Sequence, residues 1–283
     1  MRRKPRHGAD PFERQMELAL NPGVFIPDQA CCSFVSELEE VAAIVAKLTR
    51  TDPARAVALY ETFLAGCYAK AEELHDSSGS FGQFVRDLIC KWIKARQASG
   101  ADPDETAARL LAWMDDDPYA LCYDIEKDAS KAFDKAGLAA FERQIRTRFE
   151  AAGTAQLAQG KALGHESEYR RRRGSEILRT IYLTQRNLAA YIALTTQTGL
   201  TAKDCHALAT ILVTRRKPDE ALVWVKRGVA LDRENPHGCT MAGHQLIGLH
   251  RELLTRLGRG NEALEDAWAA FEENPASTAT RNS

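Results

Sequence analysis

The chain has 283 residues, 45% of them apolar and 27% charged, the balance of a folded soluble protein and not of a disordered one. Its 38 basic and 39 acidic side chains leave a net charge of −1, so any basic surface of the kind nucleic acid selects has to be local. The longest apolar run, Leu188 to Leu194, falls far short of the roughly 20 residues that span a bilayer, which argues against a membrane anchor.

Met1-Arg2-Arg3-Lys4 has the charge of a signal-peptide start, but the polar stretch from Pro5 to Glu13 supplies no apolar region behind it. The seven cysteines (Cys31, Cys32, Cys67, Cys90, Cys122, Cys205 and Cys239) are odd in number and include no Cys-x-x-Cys, so buried thiols in a reducing cytoplasm are expected. Residues 1–30 are read as a basic, poorly ordered segment, because no sustained helical period runs through them. From Ser33 the period changes: Phe34, Leu38, Val41, Ala42, Val45 and Leu48 recur at three- and four-residue steps and predict an amphipathic helix. Asp52-Pro53 supplies an acidic N-cap and a proline at the first helical position, and the helix behind it carries Ala56, Tyr60, Phe63, Leu64 and Cys67 on one face. Asp76–Ser80 marks a turn, after which Phe84, Leu88, Trp92 and Ile93 face inward on a third helix. Asp102-Pro103 repeats the start signal and adds Glu105, placed to reach back as in a capping box. A short helix is expected over about Tyr119–Asp128 and a longer one over Gly137–Ala152. Gly153–Gly164, rich in Ala, Gln and Gly, is the expected boundary between an N-terminal helical array, 31–157, and a C-terminal one, 166–276. Within the latter, Thr201 with Asp204 starts one helix, and Pro218–Leu231, Met241–Leu257 and Asn261–Asn274 follow; 277–283 reads as a disordered tail.

Lys217-Pro218-Asp219-Glu220-Ala221-Leu222 and Gly260-Asn261-Glu262-Ala263-Leu264 are two versions of one segment, a turn followed by Glu-Ala-Leu and a Trp-bearing helix. Their alanines, Ala221 and Ala263, stand 42 residues apart, above the tetratricopeptide period of about 34 and inside the HEAT-like range of about 40–47. Leu257-Gly258, Ala270 and Pro275 nevertheless fall where a tetratricopeptide repeat has its small residues and its proline. Ala209, Ala221 and Gly228 are expected where neighbouring helices approach to about 8–10 Å. Glu176-Ile177-Leu178, Lys217–Trp224 and Gly260–Leu264, closed by Phe271–Pro275, give residues 166–276 a resemblance to the helical C-terminal region of bacterial SWIM zinc-finger proteins. Residues 52–150 are similar to helical regions of uncharacterised bacterial proteins of the same broad kind. The SWIM signature of Cys-x-Cys followed by Cys-x-His is absent, since Cys31-Cys32 has no spacer and His237-Gly238-Cys239 runs in reverse, so the zinc and nucleic-acid roles of those relatives are not carried over. The expected fold is all-α, an α-solenoid of tetratricopeptide or HEAT type with about eleven or twelve helices in antiparallel pairs.

Patterns that would carry chemistry are weaker. The carboxylates Asp115, Asp116, Asp117, Asp124, Glu126 and Asp128 offer oxygen ligands, but a calcium loop counted from Asp115 puts Ala120 where glycine is required, so a solvated turn is expected. Cys205, His206, Cys239, His244 and His250 lack the paired spacing of a structural zinc site. No phosphate-binding loop, nucleophile elbow or His-Glu-x-x-His is present, and the tryptophans Trp92, Trp113, Trp224 and Trp268 are expected to serve mainly in core packing. No catalytic residue, cofactor or metal is therefore assigned. The expectation is a non-catalytic scaffold that holds a protein partner in a superhelical groove. Tyr169, Arg170, Arg171, Arg172, Arg173, Arg215, Arg216 and Trp268 are its candidate partner-binding residues. The alternative is a nucleic-acid accessory factor that uses the arginines, and Trp268 on an open terminal helix would suit a homodimer.

Overall fold

A computed structural model of the chain describes residues 11–262 except 22, 160–163 and 237, together with 264, 265 and 268. The expected tails at 1–10 and 277–283 lie outside the described residues, as does most of the helix expected over Asn261–Asn274. Among the described residues every regular element is helical, and sheet-like pairing is confined to one isolated parallel bridge between Ile26 and Leu74. No helix among them is long and apolar enough to cross a membrane. Two compact units divide the chain, Met1–Thr184 and Gln185–Ser283.

The first unit holds α1 (Pro11–Leu20), α2 (Asp28–Thr51), α3 (Pro53–Lys70) with a 3-10 turn at Ala71–Glu73, and α4 (Ser80–Ala98). It continues through α5 (Pro103–Asp115), α6 (Ile125–Ala132), α7 (Lys135–Gln159) and α8 (Gly164–Thr184). Helices α2, α4, α6 and α8 pack in succession, α1 on α3 and α5 on α7, while α3 lies against α4 and α7 against α8. The two Asp-Pro starts behave as their chemistry dictates. Asp52 accepts from the Arg55 amide at 3.1 Å and Asp102 from the Glu105 amide at 2.9 Å, each followed by a proline whose missing N–H costs the first turn nothing. Glu105 does not close a capping box; its carboxylate turns to Arg96 at 3.6 Å.

Three expectations are corrected here. The described residues of 11–30 include a helix: α1 buries Met16 and Leu20, and Leu20 lies against Gly66 of α3, where an added Cβ would clash with it. The short helix begins at Ile125 and not near Tyr119, because the Asp117 carboxylate takes the amides of Leu121 at 2.9 Å and Cys122 at 2.7 Å and fixes a turn in which Ala120 and Asp124 have positive φ. The division between units falls after Thr184, not at Gly153–Gly164. Helix α8 packs on α6 and α7, and Gly174 brings its backbone against Phe149 of α7.

One acid ties the start of α4 to α2. Asp76 accepts from the Phe81 and Gly82 amides at 3.0 and 3.1 Å, from the Ser78 and Ser80 hydroxyls, and from the Cys31 thiol at 3.5 Å. Burial acts to raise the pKa of Asp76, but the Gly82 amide and the Ser78 hydroxyl more than offset it, and the carboxyl titrates below its ordinary value. A depressed carboxyl makes the unfolded chain the better proton binder between the folded value and the unfolded one near about 3.9. Its contribution is therefore complete above the unfolded value and lost as pH falls through the folded one. In urea unfolding series from about pH 5 to about pH 2.5, Asp76→Asn should lose less stability than the parent chain. Equal acid dependence would show that this carboxylate is not linked to folding.

The second unit contains α9 (Leu188–Thr198), α10 (Ala202–Thr214), α11 (Pro218–Arg233) and α12 (Met241–Arg256), followed by helical residues from Gly260. Its core joins Cys205, Ala209 and Leu212 of α10 to Ala221, Leu222 and Val225 of α11 and Leu246, Leu253 and Leu254 of α12. Ala209 and Ala221 are fully buried, and a Cβ on Gly228 would lie 2.6 Å from Cys205 Cβ and 2.7 Å from Leu246 Cδ1. Gly228 thus stands at a close contact between helices, and Ala209 and Ala221 are buried in the same core. The 42-residue spacing is also visible in the backbone. Arg216 (φ 58°) and Gly258 (φ 72°) adopt the left-handed conformation, and the next residue back-bonds to the preceding helix, Lys217 N to Leu212 O at 3.0 Å and Arg259 N to Leu254 O at 2.9 Å. Gly100 (φ 71°), with Ala101 N bonded to Arg96 O at 3.0 Å, makes the same turn between α4 and α5 of the first unit.

Candidate interaction surfaces

The arginine run on α8 illustrates how a helix distributes consecutive side chains around its axis, about 100° apart. Arg173 points inward, and its Nη1 and Nη2 donate to the two carboxylate oxygens of Glu126 on α6 at 3.0 and 2.9 Å. Glu126 is 4% exposed and Arg173 31%, so this is a largely buried, two-pronged ion pair. Arg171 lies over the Phe149 ring of α7, 5.4 Å from its centroid, and passes beside Gly153. Arg170 pairs on the surface with Glu166 at 2.8 Å, and Arg172 lies over the exposed Tyr169 ring at 5.9 Å. Of the five residues Tyr169–Arg173, Arg173 and Arg171 hold α8 to its neighbours, while Tyr169, Arg170 and Arg172 present an aromatic and two guanidinium groups to solvent.

The acidic run is similarly divided among neighbours. Asp115 receives Arg148 Nη1 at 3.1 and 2.8 Å, Glu126 receives Arg173, and Asp124 and Asp128 pair with Lys127 and Lys131 at 2.6 and 3.5 Å. Asp117, besides the two amides, accepts from the Tyr68 hydroxyl at 3.3 Å. Burial pushes the Cys122 thiol, in contact with that hydroxyl, up to about 11, which keeps it a thiol and a poor nucleophile at neutral pH. Among the described residues no three His, Cys, Asp or Glu side chains gather closely enough to share a metal ion. Of the Cys and His residues singled out, Cys205 is buried in the α10–α12 core, Cys239 is exposed, and His237 lies outside the described residues.

The second unit carries the other candidates. Arg215 donates to the Arg186 carbonyl at 2.6 Å, bracing one helix turn on another, and Arg216 occupies the left-handed turn position with its side chain exposed. Trp92 fits the expected core role: it is buried, edge-on to Trp113 at 4.5 Å, with its indole N–H on Glu61. Trp268 departs from that role, being 63% exposed, as are Leu264 one turn earlier and Val223 on α11, at 69% and 66%.

Two buried acids shape one end of this unit, Asp204, which its spacing from Thr201 marks in the sequence, and Asp232, which no local spacing marks. Asp204 closes a capping box with Thr201 and accepts from the Tyr191 hydroxyl at 2.7 Å. Asp232, at the end of α11, accepts the Thr240 hydroxyl and amide and so anchors the start of α12, where Gly243 makes room for its carboxylate. The Thr240 hydroxyl, with help from Cys239 and the Thr240 amide, holds Asp232 below the usual carboxylate range despite its burial. Between these capped ends opens a cleft of about 490 Å³, lined by Leu200, Ala202 and Lys203 at the start of α10, Leu231 on α11, and Met241 and Ala242 on α12. Its wall is mainly apolar and its size is that of sites which take a small ligand or a few side chains of a peptide. The signal in the sequence was the pair of threonine N-caps, which fixes where two helices begin but not that they begin side by side.

No curated protein and no solved structure matches the chain significantly. A family model does match, over residues 23–282, and the chain belongs to that family, DUF6880, a family of unknown function.

Proposed function

We propose that the protein is a non-catalytic helical-repeat scaffold that acts in the cytoplasm and holds a segment of a protein partner. The observation that carries this reading is the cleft of about 490 Å³ between the starts of α10 and α12. Its walls are Leu200, Ala202, Leu231 and Met241, and its ends are set by two buried acids whose hydrogen bonds fix the starts of α10 and α12. Support comes also from the recurring left-handed turns at Gly100, Arg216 and Gly258, and from the successive packing of α2, α4, α6 and α8, which fit tetratricopeptide-like hairpins stacked as a solenoid. A solenoid offers its partner a groove made of side chains from successive hairpins, where apolar anchors dominate affinity. The nucleic-acid alternative keeps less support, because Arg171 and Arg173 are engaged with Phe149 and Glu126.

The test is crosslinked affinity capture with mass spectrometry, run in parallel on the parent chain and on Ala202→Glu and Met241→Glu variants of unchanged melting temperature. A partner recovered by the parent and depleted at least about tenfold by both variants is expected, since each buries a charge in an apolar contact. Equal recovery by all three chains, or none by the parent, would refute the reading.

A further inference from the structure

The exposed face of α11 has a charge pattern that reads the same from both ends after sign inversion. Asp219 and Glu220 stand four and three residues before Val223, and Lys226 and Arg227 three and four residues after it. Offsets of three and four place all five side chains on one face of a helix, and all five are exposed. An apolar residue thus sits between an acidic turn and a basic turn.

We infer that α11 is a self-pairing surface, on which a second copy of this chain docks antiparallel about a two-fold axis through Val223. A two-fold contact must be self-complementary, each residue meeting its symmetry counterpart across the axis. Antiparallel pairing centred on Val223 sets Val223 against Val223 of the other copy, Glu220 against Lys226, and Asp219 against Arg227. Among these five positions four opposite-charge meetings result and no like-charge one, with Glu220 also held within its own chain by Lys217 at 2.7 Å. Parallel pairing sets acid on acid and base on base and is rejected by the same charges. This inference goes beyond the scaffold reading and does not depend on what the cleft holds.

The neighbouring chain segment begins beside this face. The Arg259 guanidinium is influenced by Asp219 and the Glu262 carboxylate by Lys226, so the helical residues from Gly260 start alongside the α11 face. One and two turns on are the exposed Leu264 and Trp268. Arg227 is steadied over the Trp224 ring at 5.6 Å, which presents its guanidinium at low entropic cost. Helix α11 has 16 residues, roughly 24 Å of length, so the contact belongs at the small end of dimer interfaces, with a Kd on the order of 1–100 µM.

Sedimentation equilibrium of the full chain in low salt tests this, with paired charge variants. The parent chain should dimerise in that concentration range. Asp219→Lys with Glu220→Lys makes the face wholly basic, and Lys226→Glu with Arg227→Glu makes it wholly acidic. Each variant alone should self-associate at least about 100-fold more weakly, and the two mixed should form a one-to-one dimer of about parental affinity. Val223→Asp, a change at an exposed position, should give a monomer of unchanged melting temperature. A parent that stays monomeric to several times about 100 µM overturns the inference. A dimer undiminished in either charge variant, or two variants that are folded but do not pair with each other, overturns it as well.

Discussion

Arg173→Ala is expected to lower the unfolding free energy by about 3 kcal/mol, a larger loss than any other alanine in the arginine run. The reason is the state of its partner. Glu126 is 4% exposed, and both its oxygens are committed to the guanidinium at 3.0 and 2.9 Å. Burial acts to lower the Arg173 pKa, but the hydrogen bonds and charge of Glu126 more than compensate and raise it. Truncation of the arginine leaves a carboxylate out of water with nothing to neutralise it, and that uncompensated charge is the main cost. Replacement of both residues by methionine removes the burden and should recover most of the loss. By contrast Arg170→Ala and Arg172→Ala, whose heads are at the surface, should stay within about 0.5 kcal/mol of the parent. Urea unfolding of the four variants separates the outcomes. A loss at Arg173 no greater than at Arg172 would mean that the ion pair does not hold α6 to α8.

The caps at Asp52, Asp102 and Thr201 were legible because a cap acts within three residues of itself, and the local chemistry decides it. The helix faces of α2 to α4 were legible because their periods run over several turns, and Phe34, Leu38, Phe63 and Trp92 are buried as the period requires. What failed was decided at long range. Helix α1 has only Met16 and Leu20 to mark its inner face, and the slot that receives Leu20 exists because Gly66, in a different helix, has no side chain. The start of α6 was displaced by Asp117, whose carboxylate competes with the helix for the Leu121 and Cys122 amides. The Gly-rich stretch at 153–164 has the composition of a boundary, yet α7 and α8 on either side of it pack together, and Gly174 lets the α8 backbone lie close against Phe149. Four adjacent arginines look alike in sequence, and only the position of Glu126, 47 residues from Arg173, separates the buried one from the solvated ones. The same limit applies to the candidate surfaces. The exposed Val223 and the acids and bases around it lie within nine residues of sequence, but their common exposure depends on which α11 face the core has already taken.

Gly228→Val should cost about 3 kcal/mol, the upper part of the range for overpacking a tight helix contact. Gly228 sits in α11 where α10 and α12 close on it from two sides. A single added carbon would meet Cys205 Cβ at 2.6 Å and Leu246 Cδ1 at 2.7 Å, distances at which one of the three helices has to shift. Leucine 246 can turn its methyl aside, but Cys205 offers its Cβ, which moves only with the α10 backbone. Valine adds two further carbons and a β-branch that resists the rotamers a helix permits. Gly228→Ala sets the same first contact against a gain in helix propensity of up to about 1 kcal/mol, and should therefore be less destabilising than valine. Gly248 provides the control, since it lies within α12 with nothing inside 4 Å of its added Cβ. Gly248→Ala should raise stability by up to about 1 kcal/mol, for it gains propensity without a clash. If thermal unfolding gave Gly228→Val and Gly248→Ala the same sign, the close three-helix contact would not be what stabilises the second unit.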